Sequence, residues 1–191
     1  MFIQTEETPN PATMKFLPGR EVLGQGTLDI GSIKDAAQSP LAERLFGIEG
    51  VRGVFLGRDF ISVTKEEAKN WSAMKPAVLT AIMDHYTSGK PMVAVAVSGS
   101  EQRERTAEQS QPNDKDPIVA KIREFLDQKV RPALAQDGGD VAFQRFEDGV
   151  VYLTLKGACS GCPSASLTLK AGVESLLRHY IPEVREVRQV R

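Results

Sequence analysis

Residues 98–115, SGSEQRERTAEQSQPNDK, contain a single hydrophobic side chain, Ala107. A stretch of 18 residues with so little to bury cannot offset its own conformational entropy, so it divides the chain. The sequence is thereby predicted to form two small domains, residues 1–97 and 116–191, joined by a flexible linker over 98–115. As a flexible coil that linker would span roughly 23 Å r.m.s.. Charge does not set the halves apart: residues 1–97 carry 10 basic against 11 acidic side chains, and residues 116–191 carry 11 against 10. With a net charge of −1 in 191 residues, nothing calls for nucleic acid or an anionic membrane as partner.

The first half alternates short apolar runs with turn signals. Phe2 to Glu6 and Met14 to Leu17 read as strands separated by Thr8-Pro9-Asn10-Pro11, and a third strand is expected after Pro18-Gly19. Ser39-Pro40 marks a helix start, with a capping hydroxyl and proline at the first helical position. Val51 to Leu56 and Phe60 to Thr64 read as a hairpin across Gly57-Arg58-Asp59. From Pro76, the spacing of Val78, Leu79, Ile82, Met83 and Tyr86 predicts a helix that Gly89 ends, and Met92 to Val97 a final strand.

In the second half, Ile118, Ile122, Phe125, Leu126 and Val130 recur at helical spacing, with Pro132 expected to kink or end the helix. Asp137-Gly138-Gly139-Asp140 reads as a turn with solvated carboxylates. Val141 to Glu147, Asp148-Gly149 and Val150 to Lys156 form a strong hairpin signal, and Phe146 breaks the alternation in a way that suggests a bulge. Pro163 opens a second helix whose buried face is expected to be Leu169, Val173, Leu176, Leu177 and Tyr180, and Pro182 stops it. Glu183 to Val190 completes an αββαβ order. Both halves are α+β.

Met92 to Val97 is the longest strongly apolar stretch, far short of the ~20 residues of a membrane span. The acidic N-terminus carries no leader pattern, so the expected setting is the cytosol, or an organelle matrix after loss of a presequence.

Only two cysteines are present, Cys159 and Cys162, spaced C-x-x-C between a strand and the start of a helix. That pattern is no disulfide framework; in a reducing compartment it points to metal or redox chemistry. Unpaired N–H groups and the positive end of the helix would favour thiolates and an anionic cluster there, with Ser164 or Ser166 as further donors. Two thiolates are half of what a [4Fe–4S] cluster or a structural zinc takes, and neither His85 nor His179 has metal-site spacing to the pair. Ligand counting therefore points outside the chain, to two copies about a two-fold axis joining two pairs into one four-thiolate site. Dithiol redox chemistry, intermolecular zinc and an inert pair stay open beside the shared cluster. Gly24-Gln25-Gly26 lacks the third glycine of a dinucleotide fingerprint and reads as a kink or turn. Trp71 with Met74 reads as a packing anchor, and both histidines as structural residues near helix C-termini, where a cation is mildly favoured.

The run Val130-Arg131-Pro132 through Leu134-Ala135-Gln136-Asp137-Gly138-Gly139-Asp140-Val141, with Gly157-Ala158-Cys159-Ser160-Gly161-Cys162-Pro163-Ser164, closely resembles the C-terminal domain of NifU-like (Nfu-type) iron–sulfur cluster scaffold proteins. Phe2-Ile3-Gln4-Thr5-Glu6, Thr8-Pro9-Asn10-Pro11 and Met14-Lys15-Phe16-Leu17-Pro18 resemble the N-terminal domain that often accompanies it. The resemblance implies a carrier rather than an enzyme. It would hold a [4Fe–4S] cluster between two chains through Cys159 and Cys162 of each, receive it from upstream cluster assembly machinery, and hand it to apo iron–sulfur client proteins. The first domain, which has no ligand in that family, would contact clients or partners.

Overall fold

The computed structural model describes residues 2–94, 116–160 and 163–190, with the side chains of 163–169 outside that description. It separates into two units, residues 1–98 and 99–191. The expected linker over 98–115 lies outside the described residues.

In the first unit β1 (Gln4–Glu7), β2 (Thr13–Leu17), β3 (Leu28–Ile30), β4 (Val51–Leu56) and β5 (Ile61–Lys65) form an antiparallel sheet in the order β1-β2-β5-β4-β3. The register explains the core. Met14 lies opposite Val63 and Phe16 opposite Ile61, while Val54 and Leu56 face the same two residues from the other side. Six apolar side chains therefore share one face, and α1 (Pro40–Phe46) and α2 (Trp71–Ser88) add Leu41, Leu45, Val78 and Ile82 to the same core. Local signals hold where they close a turn or a cap: Asn10 Oδ1 accepts from the Ala12 N–H at 3.0 Å, Ser39 Oγ accepts from Ala42 at 3.2 Å, and Gly89 ends α2 at φ 64°.

Three boundaries differ from expectation. The third strand forms only at Leu28–Ile30, after the bend at Gly24-Gln25-Gly26. Helix α2 begins five residues before Pro76, with Asn70 as its cap. Its first turn is held from outside, since Trp71 packs on Phe16 with ring centres 6.2 Å apart, its Nε1 donates to Pro11 O at 3.2 Å, and Met74 is buried. That packing offsets the lost backbone bond at proline, and it bears out the anchor reading of Trp71 and Met74. Finally, residues 92–94 are not a strand: Met92 O accepts from the Ser39 hydroxyl and Ala94 N–H donates to Gln38 O, which ties the segment to the start of α1. Residues 95–97 lie outside the described residues.

The second unit has the expected αββαβ order, with its first helix in three pieces. These are α3 (Pro117–Phe125), a π-helical segment (Leu126–Val130) and α4 (Arg131–Gln136). Pro132 neither ends nor breaks the run. The wider π turn before it accommodates a residue that cannot donate and would crowd the preceding turn. β6 (Gly139–Glu147) and β7 (Val150–Gly157) form the hairpin, and β8 (Glu186–Gln189) pairs parallel to β7, which becomes the central strand. Asp148 and Gly149 have φ of 51° and 80°, a two-residue turn of the mirror-image type that suits hairpin twist. A bulge between Phe143 and Arg145 adds one residue, so Phe143 and Phe146, three apart, lie on the same face opposite Leu153 and Val151.

Helix α5 (Pro163–Tyr180) buries a narrower stripe than expected: Val173 and Leu177 are enclosed, but Leu176 and Tyr180 are 46% and 60% exposed. A three-stranded sheet covers a single row of the helix, and that row continues into Ile181 rather than round to Leu176. Leu169 lies outside the described side chains. The three-residue spacing of Val184 and Val187 arises because the first sits in the turn after α5 and only the second lies in β8.

Candidate functional site

β7 ends at Gly157, whose φ of 62° turns the chain out of the sheet toward α5. Ser160 closes the turn, its N–H and its hydroxyl donating to Gly157 O at 3.0 and 2.8 Å. Cys159 falls inside this turn. Cys162 and Gly161 lie outside the described residues, as do the side chains of Ser164 and Ser166.

The Cys159 sulfur points inward. The residue is 5% exposed and belongs to the core with Val141, Leu155 and Val173. Burial first, and the nearby carboxylates of Asp137 and Asp140 second, push its thiol up to about 12. In the metal-free chain, burial and two carboxylates therefore oppose at Cys159 the thiolate that helix-end polarity was expected to favour. Its sulfur is desolvated beneath β6, and both carboxylates oppose a negative charge there.

What lies over Cys159 is the Asp137-Gly138-Gly139-Asp140 run. Gly139 pairs with Gly157, Gly138 O accepts from Ala158 N–H at 3.1 Å, and a Cβ placed on Gly139 would stand 2.4 Å from Cys159 Sγ. The run is thus half strand rather than a free turn, and it forms the lid of the cysteine position. Asp140 corrects the solvated reading most clearly: it is buried in β6 and accepts from Arg131 Nε and Nη2, both at 2.8 Å, a bidentate pair. Sequence reading missed Gly139 and Arg131 as parts of the site. The signal was there in the adjacent glycines, since paired glycines next to a strand mark close backbone approach as well as turns.

The histidines stand apart from this centre. His179 is exposed near the end of α5, while His85 lies fully buried on the core face of α2, three residues after Ile82 in the row that Met74 and Val78 begin. Neither His85 ring nitrogen has a hydrogen-bond partner among the described residues, and burial, then Arg44 and Lys90, depress its proton affinity. It is a structural residue, as expected, but a neutral one rather than a helix-end cation. Among the described residues no group of three or more His, Cys, Asp or Glu is placed to hold a metal ion.

Two family models match the chain: the N-terminal domain of scaffold protein Nfu/NifU over residues 3–89, and the NifU-like domain over residues 122–188. The iron–sulfur cluster scaffold homologue NFU1 of human mitochondria is 47% identical over all 191 residues, which span 72% of that protein. The chain belongs to the Nfu/NifU scaffold family. A Drosophila willistoni relative of the same name is 49% identical, and this chain spans 64% of its length. A solved NifU-like protein from Saccharomyces cerevisiae is similar at 26% identity and a TM-score of 0.45, over 49% of this chain and 84% of that one. The residues 122–188 matched by the NifU-like model include Cys159, Cys162 and the Gly138-Gly139 lid.

Proposed function

We propose that this Nfu-family chain carries a [4Fe–4S] cluster between two copies of itself, through Cys159 and Cys162 of each, and passes it to apo iron–sulfur proteins. One observation carries the reading: the chain has two thiols in all, on one loop between strand and helix, so a four-thiolate site takes two chains. The relatives are named as iron–sulfur cluster scaffolds, which supports this cargo class.

The cluster is cargo, and the chain's own residues do the handling. Thiols give up protons when they ligate, so loading releases protons. Cys159 is buried under Gly139, so bridging to a second chain also requires its sulfur to leave that place. The closed position keeps the empty chain's sulfur from oxidation. Transfer runs the other way: a client thiolate displaces one carrier cysteine at a time, and the freed sulfur returns to the core. The raised proton affinity of buried Cys159 does not favour it as the attacking sulfur of a dithiol oxidoreductase.

The cluster-binding part is residues 116–191, with residues 1–97 serving client or partner contact across a flexible tether. The relatives are named mitochondrial, and we place the chain in a reducing aqueous compartment, cytosol or organelle matrix. Its partners are an upstream cluster donor and the apo clients. Anaerobic reconstitution with iron and sulfide, followed by absorbance and Mössbauer spectroscopy, tests the reading. A brown product with [4Fe–4S] parameters supports it, and stoichiometric zinc or metal-free insulin reduction counts against it.

A further inference from the structure

The Arg131 guanidinium joins three places in the second unit. Nε and Nη2 donate to the two Asp140 oxygens, both at 2.8 Å, and Nη1 donates to Asp127 Oδ1 at 3.0 Å. Asp127 lies in the π segment and Arg131 heads α4, so one planar fork fastens the helical arm to the start of β6. The next residue back from Asp140 is Gly139, the residue packed on the Cys159 sulfur, and Gly138 before it accepts the Ala158 N–H.

Resting on the carrier reading above, we propose that Arg131 is the positioning residue of the cysteine loop: by gripping Asp140 it holds the Gly138-Gly139 lid on Cys159 and so governs how readily that sulfur leaves the core to take or release a cluster. The geometry asks for arginine. Two parallel bonds to one carboxylate fix both distance and plane, whereas a lysine ammonium would supply a point charge without the fork. Asp140 is 6% exposed at its side chain, so the pair is shielded from solvent on the carboxylate side; the Asp127 contact is 61% exposed at its carboxylate and adds less. The fork does not touch the cargo. It acts through the lid.

The test uses the full chain. Metal-free protein is alkylated with iodoacetamide and Cys159 labelling is read by peptide mass spectrometry, beside hydrogen exchange of the β7 core amides. Iron release to a chelator is followed on reconstituted protein. In Arg131→Gln, Cys159 labelling should rise about tenfold, equivalent to about 1.4 kcal/mol in the closed-to-open ratio, while core amide exchange changes much less. Iron release should accelerate in the same variant, and Arg131→Lys should fall between it and the wild type. Unchanged labelling in folded Arg131→Gln, or labelling that rises only in step with core exchange, overturns the proposal. Should Arg131→Gln fail to fold, Arg131→Lys and the isosteric Asp140→Asn are read by the same criterion. If the wild-type chain takes up no iron, the carrier reading falls, and the metal-free labelling comparison still decides whether the clamp exists.

Discussion

Replacing Gly139 by alanine adds one methyl group at the most crowded point of the site. The new Cβ would stand 2.4 Å from Cys159 Sγ, 2.8 Å from Lys156 O and 3.0 Å from Cys159 N. Comfortable contact for such atoms is about 3.5–4.0 Å. Turning the cysteine side chain relieves the first clash alone; the other two involve backbone, so the hairpin or the loop must move. Overpacking of this kind costs about 1–3 kcal/mol. For a domain of this size each kcal/mol moves Tm by about 4–8 °C, so a cost near the middle of that range lowers it by roughly 8–16 °C. Calorimetry of the full chain reads this directly, with Gly172→Ala as control. Gly172 is exposed within α5 and has nothing within 4 Å of its added Cβ, so alanine there should stabilise, by about 0.5–1 kcal/mol. Thiol labelling of Gly139→Ala should show Cys159 displaced from the core. A Gly139→Ala chain with wild-type Tm and wild-type labelling would refute the packing argument, because no backbone could then be where the structure puts it.

Replacing either Cys159 or Cys162 by serine should abolish stable cluster binding while circular dichroism stays folded, since each change removes two of four thiolates from a symmetric site; wild-type iron content in either variant places the ligands elsewhere. The His85 effect has a definite sign. Its folded-state proton affinity is depressed below the ordinary value of 6.5, so the unfolded chain takes up the proton first as pH falls, and the first unit loses stability below pH 6.5. Urea midpoints between pH 7.5 and 5 should show this decline, and His85→Leu should flatten it; equal slopes would remove His85 as the cause. Residues 116–191 alone should hold the cluster yet transfer it more slowly than the full chain at low concentration, with the difference shrinking as concentration rises. Equal transfer rates for several clients would leave the first unit without a targeting role.

What could be read from the sequence is what local rules decide. Asp148-Gly149 fixed its own turn, Ser39-Pro40 its own cap, and the misplaced Phe146 betrayed the bulge, since each depends on neighbours within a few residues. Pro132 and Pro76 were misread because a π turn and the packing of Trp71 and Met74 tolerate a proline that helix propensity rejects. The site divided in the same way. The strand-to-helix position of the cysteine loop followed from pattern, but the burial of Cys159 and the pairing of Asp140 with Arg131 depend on the hairpin register laying Gly139 against Gly157. A charged residue beside two glycines resembles a solvated turn until the fold brings an arginine to it.

The shared site stands or falls on iron counted against mass. Full-length chain reconstituted anaerobically with iron and sulfide should sediment as a dimer holding about four irons per two chains, with [4Fe–4S] Mössbauer parameters, and should return toward monomer when the iron is chelated. A monomer retaining a complete cluster would contradict the account.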